Sequence, residues 1–198
     1  VDKEEIYDFV RQTNPVEFAN DEFEYSKKAM GDIEVNCSAF AASISNRTTR
    51  QIELKAPSKI DGRHVKPIKK YIWSVVKKLT HNEILYFGYR ILESNPTAVY
   101  SIRVKFPFML VDEFQDTNPL QTSLIKLIGQ KSTIIGIVGD VAQSIYSFQG
   151  ARPTDFKNFS IEGDRELKEY VINGNRRSTE NIVNFCNFLR QSDDEVLQ

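Results

Sequence analysis

Apolar residues along the chain change period several times, and each change predicts an element. Phe108–Val111 and Thr133–Val138 are short apolar runs without alternation, as expected of strands buried on both faces of a parallel sheet. Between them, Asn118-Pro119 reads as an N-cap followed by proline at the first helical position, with Leu120, Leu124, Leu127 and Ile128 on one face and Gly129 closing the helix. Upstream, Ile68, Ile72, Val75, Val76 and Leu79 recur at helical spacing with lysines on the other face, and Pro67 suits the helix start. Thr80-His81-Asn82-Glu83 has the form of a capping box, opening a helix that turns Ile84, Phe87, Gly88, Ile91 and Leu92 inward and ends near Asn95-Pro96. A short helix through Tyr100 leads to Phe108. Downstream, Pro153–Phe159 reads as a short helix and Glu169–Ile172 as a third strand. Ser178 caps a last helix with Ile182, Phe185, Cys186 and Leu189 inward.

The first part of the chain carries weaker signals. Residues 2–12 read as an acidic helix with Ile6, Phe9 and Val10 on one side. Within residues 13–62, Phe23–Ser26 and Ile33–Phe40 fit strands or irregular helices, and Ala56-Pro57-Ser58 and Asp61-Gly62 mark turns.

The strand, helix and strand between residues 108 and 138 form a parallel unit, so the residues after each strand lie at one sheet edge. Asp112-Glu113 follows the first strand and Gly139-Asp140 the second. Ligands bind at the carboxyl ends of strands in open α/β sheets. Adjacent carboxylates there can hold a hydrated Mg²⁺ and activate a water. By itself an Asp-Glu pair after a strand is more often a solvated acidic loop.

The net charge of −1 hides an uneven distribution. Residues 1–34 hold ten acidic against four basic side chains, and residues 47–78 hold ten basic against two acidic. A basic stretch of this kind fits either a polyanion-binding face or an ordinary solvated surface. Trp73, within it, fits core packing better than a base-stacking platform. Cys37 and Cys186 form neither a disulfide framework nor a metal-ligand spacing, and a reducing, cytoplasmic location is expected. No apolar run approaches the ~20 residues that span a membrane. The chain begins at Val1 rather than Met, as expected of a piece of a longer protein.

Three segments carry the chemistry together. They are Val111-Asp112-Glu113-Phe114-Gln115-Asp116-Thr117-Asn118, then Val138 to Ala151 with Gln143, Tyr146 and Phe148, then Asn175-Arg176-Arg177-Ser178-Thr179. In this order and spacing they resemble motifs II, III and IV of superfamily-1 DNA helicases of the UvrD/Rep/PcrA kind, the third imperfectly. The clear resemblance covers residues 81–190. It implies an α/β fold: part of a parallel-sheet, RecA-like P-loop motor core with a mainly helical accessory subdomain. Residues 1–105 would be the accessory 1B-like part, 106–165 part of domain 1A, and 166–198 the start of domain 2A. The implied activity is ATP-dependent 3′-to-5′ translocation on single-stranded or partly duplex DNA, with ATP and Mg²⁺ as cofactors and the rest of the helicase chain as partner.

The same resemblance implies residue roles. Asp112, with Glu113, would hold Mg²⁺, and Glu113 would polarise the attacking water. Gln143 would sense the γ-phosphate, Arg177 would reach it, and Arg176 would lie against the nucleotide. Tyr146 and Phe148 would face single-stranded DNA. Lys66, Lys69 and Lys70 would contact phosphates.

Three departures bear on this. Gln149 stands where the family usually has arginine, and Arg176 where it usually has an adenine-stacking aromatic. The chain contains no G-x-x-x-x-G-K-[ST], so the phosphate cradle is missing and the isolated chain is expected to be inactive. A non-catalytic DNA- or helicase-binding descendant of the family is the alternative. A nuclease using Asp112, Glu113, Asp116 and Asp140 is a third reading, and it needs a tight carboxylate cluster.

Overall fold

The structure, a computed structural model, describes residues 32–47, 50–56, 60, 62–147, 150–163, 167–172 and 174–189. The expected helix over 2–12, the Phe23–Ser26 element, Phe148 and Gln149 lie outside them. The chain divides at Val99/Tyr100 into two compact units.

In the first unit, β1 (Glu34–Val35) pairs antiparallel with β2 (Leu54–Lys55), with Val35 opposite Leu54. Between them lies α1 (Cys37–Ser45), whose first turn is capped by Asn36 Oδ1 accepting from Ala39 N at 3.2 Å. Ile33–Phe40, which fitted either strand or helix, is thus divided between the two. The Cys37 thiol is pushed up to about 11 by burial and by the nearby Glu34 carboxylate, which keeps it protonated.

The helix expected to begin at Pro67 begins at Gly62 instead: α2 is Gly62–Tyr71, with Pro67 inside it. A single π-type turn, Ile72–Val76, follows. Proline lacks the N–H that would bond back four residues, so it interrupts the helical ladder without ending the helix. Ile33, Ile60, Val65, Ile68 and Tyr71 form the core, with Leu54, Ile72 and Val76 packed on it. Val75 and Leu79, expected inward, are exposed.

Helix α3 (His81–Ser94) starts at the Thr80 cap, with Thr80 N donating to Glu83 Oε2 at 2.7 Å. Its buried face is not the expected one. Glu83, Tyr86 and Tyr89 are buried, whereas Ile84 and Ile91 are exposed. Two contacts explain the rotation. The Phe40 ring meets Tyr86 and Tyr89 edge-on, at 4.8 and 5.7 Å between centroids. Lys69 Nζ lies 2.7 Å from Glu83 Oε1. Trp73 packs edge-on against Phe87 at 5.1 Å, in keeping with a packing role.

In the second unit, β3 (Phe108–Val111) pairs parallel with β4 (Ile134–Ile137), in register from Phe108↔Ile134 to Val111↔Ile137. Helix α4 (Pro96–Lys105), whose first residues Pro96–Val99 belong to the first unit, precedes β3, and α5 (Pro119–Gly129) connects the strands. Asn118 Oδ1 accepts from Leu120 N and Gln121 N, at 3.0 and 2.9 Å, so the expected N-cap and N1 proline are present. Arg103 closes the other end of α5, donating to Leu127 O at 2.6 Å and Ile128 O at 2.8 Å. Helix α6 is Pro153–Lys157, and α7 is Glu180–Leu189.

Three expectations fail here for one reason. Phe108 is 68% and Leu110 80% exposed, so β3 is not buried on both faces. Glu169–Ile172 forms no strand, and Tyr170 and Ile172 are exposed. Ile182, Phe185 and Leu189 on α7 are exposed rather than inward. Among the described residues no layer covers these apolar faces, and a strand pattern without a neighbour has nothing to pair with. The α7 cap also falls one residue later than Ser178, since Thr179 O accepts from Ile182 N and Val183 N.

Phe114 anchors the turn after β3. It is fully buried, with its ring edge-on to Phe159 at 5.0 Å and tilted against Phe156 at 6.0 Å. Phe114→Ala is expected to destabilise the second unit by about 3–5 kcal/mol. The check is the urea midpoint; a loss under about 1 kcal/mol would show that the turn holds without this ring.

Candidate functional site at the β3–β4 edge

Both strands end at the same edge, where the backbone ties them together. Phe114 N donates to Val138 O and Val138 N to Val111 O, each at 2.9 Å. The Asp112-Glu113 and Asp140–Gln143 segments therefore leave the sheet side by side, as the parallel connection requires.

Asp112 is exposed, and its Oδ1 accepts from Glu113 N at 2.9 Å. Glu113 is exposed and left-handed, with φ 51° and ψ 41°. A non-glycine residue holds that conformation at a cost of roughly 1–3 kcal/mol, which neighbouring contacts must offset. One such contact is Gln115 Nε2, which donates to Glu113 Oε2 at 2.7 Å. The other end of the Gln115 amide, Oε1, accepts from Asp140 N at 3.1 Å.

After β4, Asp140 shapes the second turn. Its Oδ1 accepts from Ala142 N at 3.0 Å, and its Oδ2 accepts from Gln143 Nε2 at 2.9 Å. Gln143 is exposed at the end of the single 3-10 turn Val141–Gln143. Gly139 is required by close approach, because a Cβ there would meet Gln115 Oε1 at 2.4 Å.

Asp112, Glu113 and Gln143 thus converge on one edge. Tyr146 follows, 40% exposed. Arg176 and Arg177 are exposed, and their segment is held through its backbone, with Arg177 N and Ser178 N each donating to Asn175 Oδ1 at 3.0 Å. Among the described residues no ion pair joins either arginine to Asp112 or Glu113.

No three His, Cys, Asp or Glu side chains among the described residues are grouped to hold a metal ion. Asp112, Glu113, Asp116 and Asp140 therefore do not form the tight cluster that two-metal nuclease chemistry needs. A hydrated Mg²⁺ needs less, one or two carboxylates plus phosphate oxygens, and the exposed Asp112 fits that requirement.

In the first unit, Lys66 and Lys70 are exposed one helical turn apart on α2. Lys69 is different: it is 1% exposed and paired with Glu83. Its ammonium cannot reach a phosphate, so Lys69 is removed from the expected DNA-contacting set. Arg50 is also engaged, pairing with Glu93, which Arg90 approaches at 3.4 Å.

Sequence reasoning missed Gln115. The local signal was Gly139, two residues after β4, which announces a close approach without naming the group that approaches.

The fold and the strand-end site define a mixed α/β protein with carboxylate and amide side chains gathered at one parallel-sheet edge. Its family follows from comparison: residues 5–163 match the UvrD/REP helicase N-terminal domain, and the chain belongs to that family. It is 34% identical over 160 residues to the ATP-dependent DNA helicase PcrA of Staphylococcus epidermidis, covering 75% of this chain and 21% of that protein. It is 32% identical over 168 residues to the PcrA of Staphylococcus aureus, covering 79% and 22%. It is 36% identical over 115 residues to DNA helicase II of Haemophilus influenzae, covering 58% and 16%. The matched regions are less than a quarter of the length of each of these relatives. Among the described residues no helix is long and apolar enough to cross a membrane.

Proposed function

We propose that the chain forms part of an ATP-dependent DNA helicase or translocase moving 3′ to 5′ along single-stranded DNA. Residues 106–165 are its share of a RecA-like domain 1A, 1–105 an accessory 1B-like part, and 166–198 the start of domain 2A. The observation that carries this reading is the hydrogen-bonded meeting of the Glu113 and Gln143 turns at one sheet edge.

Each residue then has a physical task. Asp112, with Glu113 beside it, would hold Mg²⁺, which supplies charge neutralisation at the phosphates. Glu113 orients the attacking water and accepts its proton. Gln143, an exposed amide at the end of a rigid turn, senses the γ-phosphate. Arg177 stabilises negative charge there, and Arg176 stacks its guanidinium on the nucleotide. Tyr146 and Phe148 offer stacking surfaces to bases, at roughly 1–3 kcal/mol per base. Only a few residues separate Gln143 from Tyr146, so a change at the nucleotide reaches the DNA through a short length of chain.

Lys66 and Lys70 contact DNA phosphates without reading sequence. The Lys66→Ala/Lys70→Ala pair is expected to lower the slope of log K against log salt by about 1 per lysine. Lys69 is excluded from this effect. Equilibrium binding to single-stranded and partly duplex DNA at several salt concentrations checks it, and an unchanged slope removes both lysines from the interface.

The test of the whole reading is ATP hydrolysis by the natural full-length gene product, with and without single-stranded DNA. Hydrolysis stimulated by DNA supports it. A full-length protein that binds DNA but neither binds nor hydrolyses ATP overturns it in favour of a non-catalytic DNA-binding protein.

A further inference from the structure

We infer that Gln115 is a positioning residue, which aims the Glu113 carboxylate and couples it to Gln143; the inference rests on the roles proposed above for those two residues. Gln115 is 1% exposed and uses both ends of its amide. The backbone N–H of Asp140 can only donate, so the amide oxygen must face it. The NH₂ group is thereby turned to Glu113. A single orientation satisfies both neighbours, and the 2.7 Å bond to the carboxylate is the shorter of the two.

The link continues beyond Asp140, whose Oδ2 accepts from Gln143 Nε2 at 2.9 Å. Glu113, Gln115, Asp140 and Gln143 are thus connected by hydrogen bonds, through the Asp140 backbone N–H on one side and its carboxylate on the other, without passing through the nucleotide. Glu113 needs such support. It is exposed, has several rotatable bonds and sits in a left-handed backbone conformation. A buried donor with no freedom to turn confines its carboxylate. Displacement of Gln143 by a γ-phosphate is then felt at the group that orients water. Gly139 preserves the path, since a side chain there would displace Gln115 Oε1.

Only an amide performs this task. Gln115→Glu keeps the size and an acceptor for Asp140 N–H but replaces the donor with a second carboxylate facing Glu113. In the full-length protein, Gln115→Glu is expected to lower kcat for DNA-stimulated hydrolysis by about 10–100-fold, the scale of a small misplacement of a catalytic group. KM for ATP, and equilibrium binding of a fluorescent non-hydrolysable ATP analogue, should change by less than about twofold. Gly139→Ala approaches the link from the other side and should give the same split. Added to Glu113→Gln, Gln115→Glu should cause no further loss, because it acts through Glu113.

If Gln115→Glu and Gly139→Ala both hydrolyse ATP at the wild-type rate, or if Gln115→Glu loses further activity on top of Glu113→Gln, the positioning role is wrong. If Glu113→Gln itself leaves hydrolysis unchanged, the fault lies in the proposed function. Loss with Glu113→Gln but none with Gln115→Glu or Gly139→Ala removes this inference alone.

Discussion

Glu113→Gln in the full-length protein is expected to reduce DNA-stimulated ATP hydrolysis by roughly 10²–10⁴-fold, the usual share of a general base. The substitution is nearly isosteric and removes the charge and basicity of the side chain. It leaves a polar group that Gln115 can still meet at the Oε2 position, so the buried amide is not orphaned. The turn itself is held by Phe114, whose ring is packed behind it, and by the Phe114 N to Val138 O bond. ATP affinity and single-strand affinity should therefore survive while kcat falls, a pattern that identifies an interaction made in the transition state. Steady-state hydrolysis and nucleotide binding measured on the same preparation provide the check. Equal losses in binding and turnover would instead mean that Glu113 holds the nucleotide. Unchanged turnover would return the Asp112-Glu113 pair to an acidic loop.

Lys69→Met is expected to destabilise the first unit by about 3–5 kcal/mol, the scale for removing one partner of a buried ion pair. Both groups are almost fully buried, and Lys69 Nζ lies 2.7 Å from Glu83 Oε1. Without the ammonium, Glu83 remains a charge surrounded by protein, and its other oxygen is already occupied by Thr80 N–H. That loss is a large part of the ~5–15 kcal/mol that holds a typical domain folded. Lys69→Met/Glu83→Gln should recover most of it, because the glutamine oxygen still accepts from Thr80 N while neither charge is left buried. Urea unfolding at unchanged m-value measures both. A single-variant loss below about 1 kcal/mol would mean that water reaches the pair. The salt dependence of DNA binding should not change with Lys69→Met, in contrast to Lys66 and Lys70.

Much of the second unit was legible because its signals are local. Asn118 and Pro119 open a helix by satisfying or removing backbone donors within a few residues. The two apolar runs flanking it are too short for helices, and their carboxyl ends had to lie together once the strands paired in parallel. The Asp112-Glu113 and Asp140–Gln143 turns could therefore be placed at one edge from the chain alone. Arg176 and Arg177 could be located on the chain but not in space, because nothing local says how far the segment before α7 lies from another edge.

Burial was the part that failed, at both extremes. Ile84, Ile91, Phe108 and Leu110 are apolar and exposed, whereas Lys69, Glu83 and Gln115 are polar and buried. Periodicity reports which side of an element is apolar, not what covers that side. The covering layer comes from distant parts of the chain: Phe40 selects the face of α3 that turns inward, and Glu83 draws Lys69 out of solvent. Sequence alone was enough for the strand, helix and strand between residues 108 and 138, the Thr80 and Asn118 caps, the family motifs and the shared edge of the Glu113 and Gln143 turns, since each depends on neighbouring residues or on how parallel strands must connect. That Lys69 is a structural cation and that Gln115 ties the two turns together emerged from the three-dimensional fold. Both depend on atoms brought to about 3 Å from residues 14 and 25 positions away, a proximity that spacing along a chain does not encode.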